Sequence, residues 1–499
     1  MSWNLNMNLK RNASDFPDWT AYRFMNRTTT YSQLDQLVDR FASALSMQGI
    51  GKGDAVALLL GNTPHFVIAY FGILRVGAAV VPINPIFSSR EIQYILSNSG
   101  AKGAIAISHL HPVLTAMKPQ LDHLQFVIYS DPVDAELNFE KFIHGAIPDI
   151  ESPKIDKEDI AVILYTSGTT GDPKGVMLTH LNVGSNAVAS IKLFELTQQD
   201  RVITVLPIFH VFCMTVCMNA AISCGASMLL LPRFSPTEVV KTIREEKATI
   251  FAGVPTMYNF LLQIPDATSE DFQTIRSCVS GGAPLPVALL EKFEQRFQVR
   301  ILEGYGLTEA SPVTAFNPYR GIRKPGSIGL DIPNVTNKVV DPSGQEVPRG
   351  EIGELIVSGP NVMKGYLGMP EATNMALRDG WLYTGDMARM DEDGYLYIVD
   401  RKKDMILVGG FNVYPREVEE VIYQHPAIVE AAVIGVPDEE YGEAVKAFVV
   451  SKEASLNEEN IIQFCKGKIA KYKIPMLVEF VNELPKNASG KILRRALTR

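Results

Sequence analysis

Helix-like and strand-like stretches exchange places regularly through residues 30–81. Thr30 followed by Gln33 has the form of a helix capping box, and Leu34, Leu37, Val38, Phe41 and Leu45 then recur at helical spacing until Gly49. Residues 55–60 read as a buried strand, 64–76 as a helix stopped by Gly77, and 79–81 as a second strand. That is a βαβ unit, which needs parallel strands covered by helices on their faces. The alternation returns with strands at 249–252, 277–279 and 300–302 and a helix at 286–297. An α/β body of layered parallel sheets is the expectation.

The texture changes along the chain. Residues 326–396 carry short strands separated by Gly, Pro and Asp turns, the pattern of a β-barrel-like subdomain or a meander. Beyond Asp400, a strand at 405–408, a helix at 415–423, strands at 429–436 and 444–450 and a helix at 458–469 predict a small α+β domain. At 499 residues the chain exceeds what one growing core supports, so two domains are expected, 1–400 and 401–499. Residues 401–499 hold 15 Lys and Arg against 14 Asp and Glu, so the net charge of -8 leaves -9 on the first 400. A chain of that sign with no long basic run is a poor nucleic-acid binder.

Five cysteines without a CxxC pair fit a reducing, cytoplasmic setting, and the first residues contain no apolar core of a secretory signal. No Asp, Glu, Lys or Arg lies between Arg201 and Arg233, yet Pro207, His210, Asn219 and Gly225 interrupt that stretch too often for a spanning helix. A buried strand and core helix are expected there. Peripheral membrane contact stays open, as does the choice between monomer and homodimer.

The segment YTSGTTGDPKG, residues 165–175, follows an apolar strand. Gly168, Gly171 and Gly175 let the backbone turn its amides toward one point, while Thr166, Ser167, Thr169 and Thr170 supply hydroxyls and Lys174 a charge. A polyphosphate suits such a loop; a surface loop would share its composition. It is not a Walker A motif, because Pro173 stands where that pattern needs Gly before its Lys. The segment resembles the signature of the AMP-forming adenylating enzymes, the superfamily of acyl-CoA synthetases, peptide-synthetase adenylation domains and luciferase. The resemblance extends over essentially the whole chain.

Further motifs carry it. SGGAPL at 280–285 and EGYGLTE at 303–309 each follow a strand, where open α/β sheets bind ligands. The resemblance implies that Gly282, Ala283, Glu303, Gly304, Tyr305 and Gly306 belong to loops lining the adenine, the tyrosine ring stacked on it. Thr308 would touch phosphate, and Glu309, with Thr166 as a second oxygen, would hold Mg²⁺. In WLYTGD at 381–386 Asp386 would bind the ribose diol, with Arg401 of DRKKD at 400–404 beside it and Lys403 at the hinge position. Lys491, in PKNASGKILRR at 485–495, would enter the site for adenylation, and Gly409 and Gly410 of LVGGFN would line the arm of coenzyme A.

Those roles imply a two-step ligase: ATP and a carboxylic acid give an acyl adenylate and pyrophosphate, and coenzyme A then takes the acyl group. All of Glu309, Asp386, Arg401 and Lys491 are present, unlike in an inactive nucleotide binder. A peptide-synthetase domain would need an adjoining carrier domain and an Asp for the amino group, and neither is apparent. LPIFHVFCM at 206–214 resembles the acyl-side motif, with His210 near the carboxylate, although a His on an apolar face is also an ordinary core residue. Phe209, Phe212, Met214, Val254, Met257 and Tyr258 suit an apolar pocket without a cation for a second carboxylate. The texture is similar to bacterial long-chain fatty acid:CoA ligases; an aromatic acid is the alternative.

Overall fold

The capping box at the head of the first long helix is formed: the Gln33 amide donates to Thr30 Oγ1 (3.3 Å), and Thr30 N–H donates to Gln33 Oε1 (3.0 Å). The helix runs Tyr31–Met47 and buries Leu34, Val38, Phe41 and Leu45 on one face. In this computed structural model all residues are described except 134–136, 148–152, 167–172, 489 and 498–499.

Two sheets form the large N-terminal lobe. One places its seven strands in the order Gly365–Tyr366, Lys174–Thr179, Ile160–Thr166, Ala79–Pro82, Ala55–Leu59, Gly103–Ala106 and Phe126–Tyr129, the last five mutually parallel. Along Ala55–Leu59, Val56 and Leu58 join one apolar core while Ala55, Ala57 and Leu59 join another. Successive side chains point to opposite faces, so a strand covered on both must be apolar throughout. The second sheet has nine strands, and its parallel run includes Arg201–Thr204, Ile250–Gly253, Ser277–Ser280 and Ile301–Gly306 as neighbours.

The uncharged stretch is what its interruptions implied. Strand Arg201–Thr204 leads to a buried π-helical turn, Cys213–Asn219, continued by Ala220–Cys224 and stopped by Gly225 at φ +88°. No helix among the described residues is long and apolar enough to cross a membrane. All five cysteines are free and buried.

Strands Thr336–Val340, Ile352–Ser358, Trp381–Met390 and Leu396–Arg401 pair antiparallel, the ladder pattern expected after Gly326. The smaller C-terminal lobe has its own core, with Ile406, Val413, Val418, Ile422, Val433, Val449 and Ile461 closing its sheet against helices Pro415–Tyr423 and Glu458–Cys465. The latter helix is shorter than its apolar spacing suggests. Lys466 leaves helical geometry at ψ 133°, and Gly467 takes a left-handed φ of +79°.

Candidate active site

Three neighbouring parallel strands of the nine-stranded sheet end in the segments at 254–256, 281–283 and 307–309, which gathers loops distant in sequence at one edge. Gly282 takes φ +78° there, and a Cβ on Gly281 would press on the Phe212 ring at 3.3 Å. The segment read as adenine-lining and the segment read as acyl-lining are therefore in contact. Gly304 and Gly306 have another reason to be glycine: a Cβ would collide with the Phe316 ring at the first and with the Pro312 carbonyl at the second.

Asp386 and Arg401 face each other across the Trp381–Met390 and Leu396–Arg401 ladder, with Arg401 Nε 3.4 Å from Asp386 Oδ1. The Tyr305 hydroxyl donates to the other oxygen of Asp386. Burial raises the Asp386 carboxyl, and the Arg401 charge and the Tyr305 hydrogen bond pull it back.

On the adjoining edge, Thr166 pairs with Lys174 at the mouth of the phosphate-loop segment, whose Ser167, Gly168, Thr169, Thr170 and Gly171 lie outside the described residues. Lys174 Nζ sits 4.9 Å from the centre of the Tyr366 ring, and the Tyr366 hydroxyl donates to Glu309 Oε1 (3.0 Å). Thr308 and Glu309 lie in a short 3-10 turn, and Glu309 is fixed through its carbonyl by Met363 N–H (2.8 Å). No cluster of three or more His, Cys, Asp or Glu able to hold a metal occurs among the described residues. A lone carboxylate with one oxygen engaged fits a hard cation that arrives on a nucleotide's phosphates, since Mg²⁺ so bound takes only one or two protein oxygens.

Lys491 reaches this edge from the small lobe. Its loop is closed by Lys491 N–H to Asn487 Oδ1 and Asn487 N–H to Lys491 O, both 2.9 Å. Gly490, at φ +82°, leaves no slack against the large lobe: a Cβ would lie 3.0 Å from Thr256 Oγ1 and 3.1 Å from Val254 Cγ2. The Thr256 hydroxyl donates to the Gly490 carbonyl (3.4 Å). Burial, together with the Arg401 charge, lowers the Lys491 ammonium to about 8 against the pull of Asp386. Burial and the nearby Lys491 hold the His210 imidazole down at about 4. Phe212 N–H donates to His210 Nδ1 (3.3 Å), so the neutral ring carries its proton on Nε2.

Lys491, Asp386, Arg401, Tyr305 and His210 thus converge. Gly409 and Gly410 do not join them: they form the exposed turn of the hairpin Ile406–Val408 and Phe411–Val413. Lys403 is exposed at the junction of the lobes. Ala283 and Gly282 lie at the strand-end loop, while the Glu303 carboxylate turns toward the small lobe, accepting from Leu285 N–H (3.1 Å) with Arg416 Nη2 at 3.9 Å. Tyr366 and Arg416 were not singled out by sequence; YPREVEE signals only a helix start, and nothing local marks Tyr366 as a partner of Glu309.

Two lobes meeting over such an edge are the arrangement that the resemblance to ATP-using, AMP-forming acid–thiol ligases implies. The model of the AMP-binding enzyme family matches residues 9–367 and that of the AMP-binding enzyme C-terminal domain residues 417–491, and the chain belongs to this family. It is an acyl-CoA ligase acting with ATP, Mg²⁺ and coenzyme A. The long-chain-fatty-acid–CoA ligase of Bacillus subtilis (strain 168) is 42% identical, over 98% of this chain and 93% of its own length. ATP-bound MatB from Rhodopseudomonas palustris superposes with a TM-score of 0.94 at 35% identity, covering 100% of this chain and 98% of that one. The anthranilate CoA ligase AuaEII in complex with anthranoyl-AMP gives a TM-score of 0.94 at 32% identity, covering 99% and 96%.

Proposed function

We propose that this chain activates a fatty acid as its adenylate and passes the acyl group to coenzyme A, the small lobe supplying Lys491 for the first step only. The observation that carries this is the seating of the Lys491 loop, with Gly490 pressed between Val254 and Thr256 and the ammonium coupled to Asp386, Arg401 and His210. A carboxylate is a poor electrophile until oxygen is exchanged for a better leaving group. In the first step its oxygen attacks the α-phosphorus of ATP and the bond to pyrophosphate breaks.

Lys491 is placed to balance charge gathering on the α-phosphate and the attacking carboxylate. Asp386 accepts from the ribose hydroxyls, with Arg401 and Tyr305 fixing its orientation. The loops at Gly282–Ala283 and Gly304–Gly306 border the adenine, and Thr308 and Lys174 face phosphate. A Mg²⁺ held by Glu309 and Thr166 would supply Lewis-acid neutralisation of the phosphates. His210 Nε2–H is available to the acid's carboxylate.

In the second step the thiol of coenzyme A attacks the acyl carbonyl and AMP departs. We assign residues 1–400 and 401–499 to separate domains with the hinge at Lys403; rotation there withdraws Lys491 and presents Gly409–Gly410 to the entering thiol arm.

The fatty acid is favoured by the uncharged stretch between Arg201 and Arg233, buried along Cys213–Asn219, and by the relative named for long-chain fatty acids. The anthranilate ligase's likeness supports an aromatic acid as the second reading. Pyrophosphate exchange into ATP across fatty, aromatic and amino acids, followed by consumption of coenzyme A with the best acid, separates them. Exchange with fatty acids and not with benzoates is the expected result; ADP as the nucleotide product would defeat both readings.

A further inference from the structure

We propose that Arg416 is the positioning residue that fastens the small lobe in its Lys491-in orientation, by tying helix Pro415–Tyr423 to Glu303 and to the end of strand Leu396–Arg401. The inference rests on the two-orientation reading above.

Arg416 is only 7% exposed, and it spends its donors across the junction. Its N–H donates to Asp400 Oδ2 and its Nη1 to the Ile398 carbonyl, both at 2.9 Å. Its Nη2 lies 3.9 Å from Glu303 Oε1, and its Nε 3.9 Å from Glu420 Oε1 on its own helix. Glu420 reaches back across the interface as well, accepting from Val287 N–H at 3.4 Å.

Such a cluster is a poor way to stabilise a fold. Glu303 is 3% exposed, and its Oε2 has no hydrogen-bond partner. Removing charges from water costs more than a long ion pair returns, so an apolar contact would hold the lobes better if they never had to part. The 3.9 Å approach to Glu303 is instead a loose contact, so the close bonds that must break when the lobes part are the two at 2.9 Å to Asp400 and Ile398. Burial lifts the Glu303 carboxyl to about 7 while Arg416 pulls it down.

The link to Lys491 runs through Asp400. While one of its oxygens receives Arg416 N–H, the other receives Arg494 Nη1 (3.1 Å), and Arg494 also holds Glu419 at 2.8 Å. Arg494 follows the Lys491 loop directly in sequence, so the loop and the Arg416 helix share one anchor. Displacing the helix displaces the lysine.

The test compares half-reactions in the full chain: pyrophosphate exchange for adenylation, and thioester formation from supplied acyl-AMP. Arg416→Gln should lower exchange about tenfold, a coupling of ordinary size, while thioester formation persists, and Arg416→Lys should recover much of the exchange. An equal fall in both half-reactions, or no fall in exchange, would overturn the proposal. Should Arg416→Gln fail to fold, Glu420→Gln, which keeps an acceptor for Val287, should give the same one-sided loss at smaller size; a two-sided loss or none sinks the idea. Lys491→Ala in parallel separates the two failures. If it spares thioester formation and the Arg416 variants show no split, the fastening alone is wrong; if Lys491→Ala shows no split, the two-orientation reading falls and the fastening with it.

Discussion

Two glycine turns of the small lobe occupy opposite situations. Gly490 and Gly410 share a left-handed backbone, φ +82° and +86°. Gly490 is hemmed by Val254 and Thr256 of the large lobe, whereas a Cβ on Gly410 would meet nothing within 4 Å. Packing thus explains the first glycine and not the second. Of these two turns, only that of Gly490 is packed against the large lobe. The left-handed backbone of the free turn is enough to favour glycine there, and the proposed second arrangement would give its exposed face a ligand to meet.

The sharpest way to break this comparison is Lys491→Ala. Loss of a positioned charge at a reacting centre costs on the order of 10²–10³ in rate, so pyrophosphate exchange should fall by at least that much. Thioester formation from supplied acyl-AMP should survive; its equal loss would make both turns servants of one step. The glycines themselves come next. Gly490→Ala should lower exchange by roughly ten- to a hundredfold, because a displaced loop misplaces the lysine. Gly410→Leu should leave exchange intact and slow the coenzyme A step. Strain of about 1–2 kcal/mol for a left-handed side chain is common to both variants, so a reversed pattern of half-reactions cannot come from strain.

The same contrast explains what the sequence disclosed. Alternating apolar periods revealed both lobes because burial on two faces leaves a signature in each strand, as along Ala55–Leu59. Asp386 and Arg401 were legible because each sits in a contiguous motif, Asp386 within strand Trp381–Met390 and Arg401 at the end of Leu396–Arg401. Their adjacency needed the ladder. Tyr366 and Glu309 lie 57 residues apart and meet only when Gly365–Tyr366 pairs with Lys174–Thr179, so no local pattern joins them. Arg416 was hidden for a similar reason: Glu303 and Asp400 come from other elements. The π-turn Cys213–Asn219 lies in an almost wholly apolar run, where nothing marks a change of helical period.

A smaller effect concerns the acidity of Lys491. A lysine lowered to about 8 is charged below that pH and neutral above it, so only the low-pH form balances phosphate charge. The kcat/KM of adenylation should therefore decline above about pH 8, as it reports the free enzyme, and protonation of Glu303, raised to about 7, should add a separate fall on the acid side through the loss of its pairing with Arg416. The kcat limb should move to higher pH because bound ATP favours the ammonium. His210, held near 4, is neutral across this range and should add no inflection between pH 6 and 7. An inflection there that disappears in His210→Ala would show the imidazole titrating despite its burial.

The least expected change, and the one that tests the nucleotide side alone, is Tyr305→Phe. The hydroxyl donates to Asp386, which is 7% exposed and already raised by burial. Removing that donor leaves Arg401 Nε at 3.4 Å as the remaining orienting group, while the aromatic ring proposed to border the adenine stays. A neutral hydrogen bond is worth about 0.5–1.5 kcal/mol and one to a charged group about 1.5–3, so ATP binding should weaken by roughly three- to tenfold, the lower part of that span because Arg401 compensates. Both half-reactions use AMP or ATP in the same ribose site, so the loss should appear in each, unlike the one-sided losses of Lys491→Ala and Gly410→Leu. A Tyr305→Phe enzyme impaired in only one step would tie the ribose contact to the position of the small lobe, through Arg401 beside the hinge.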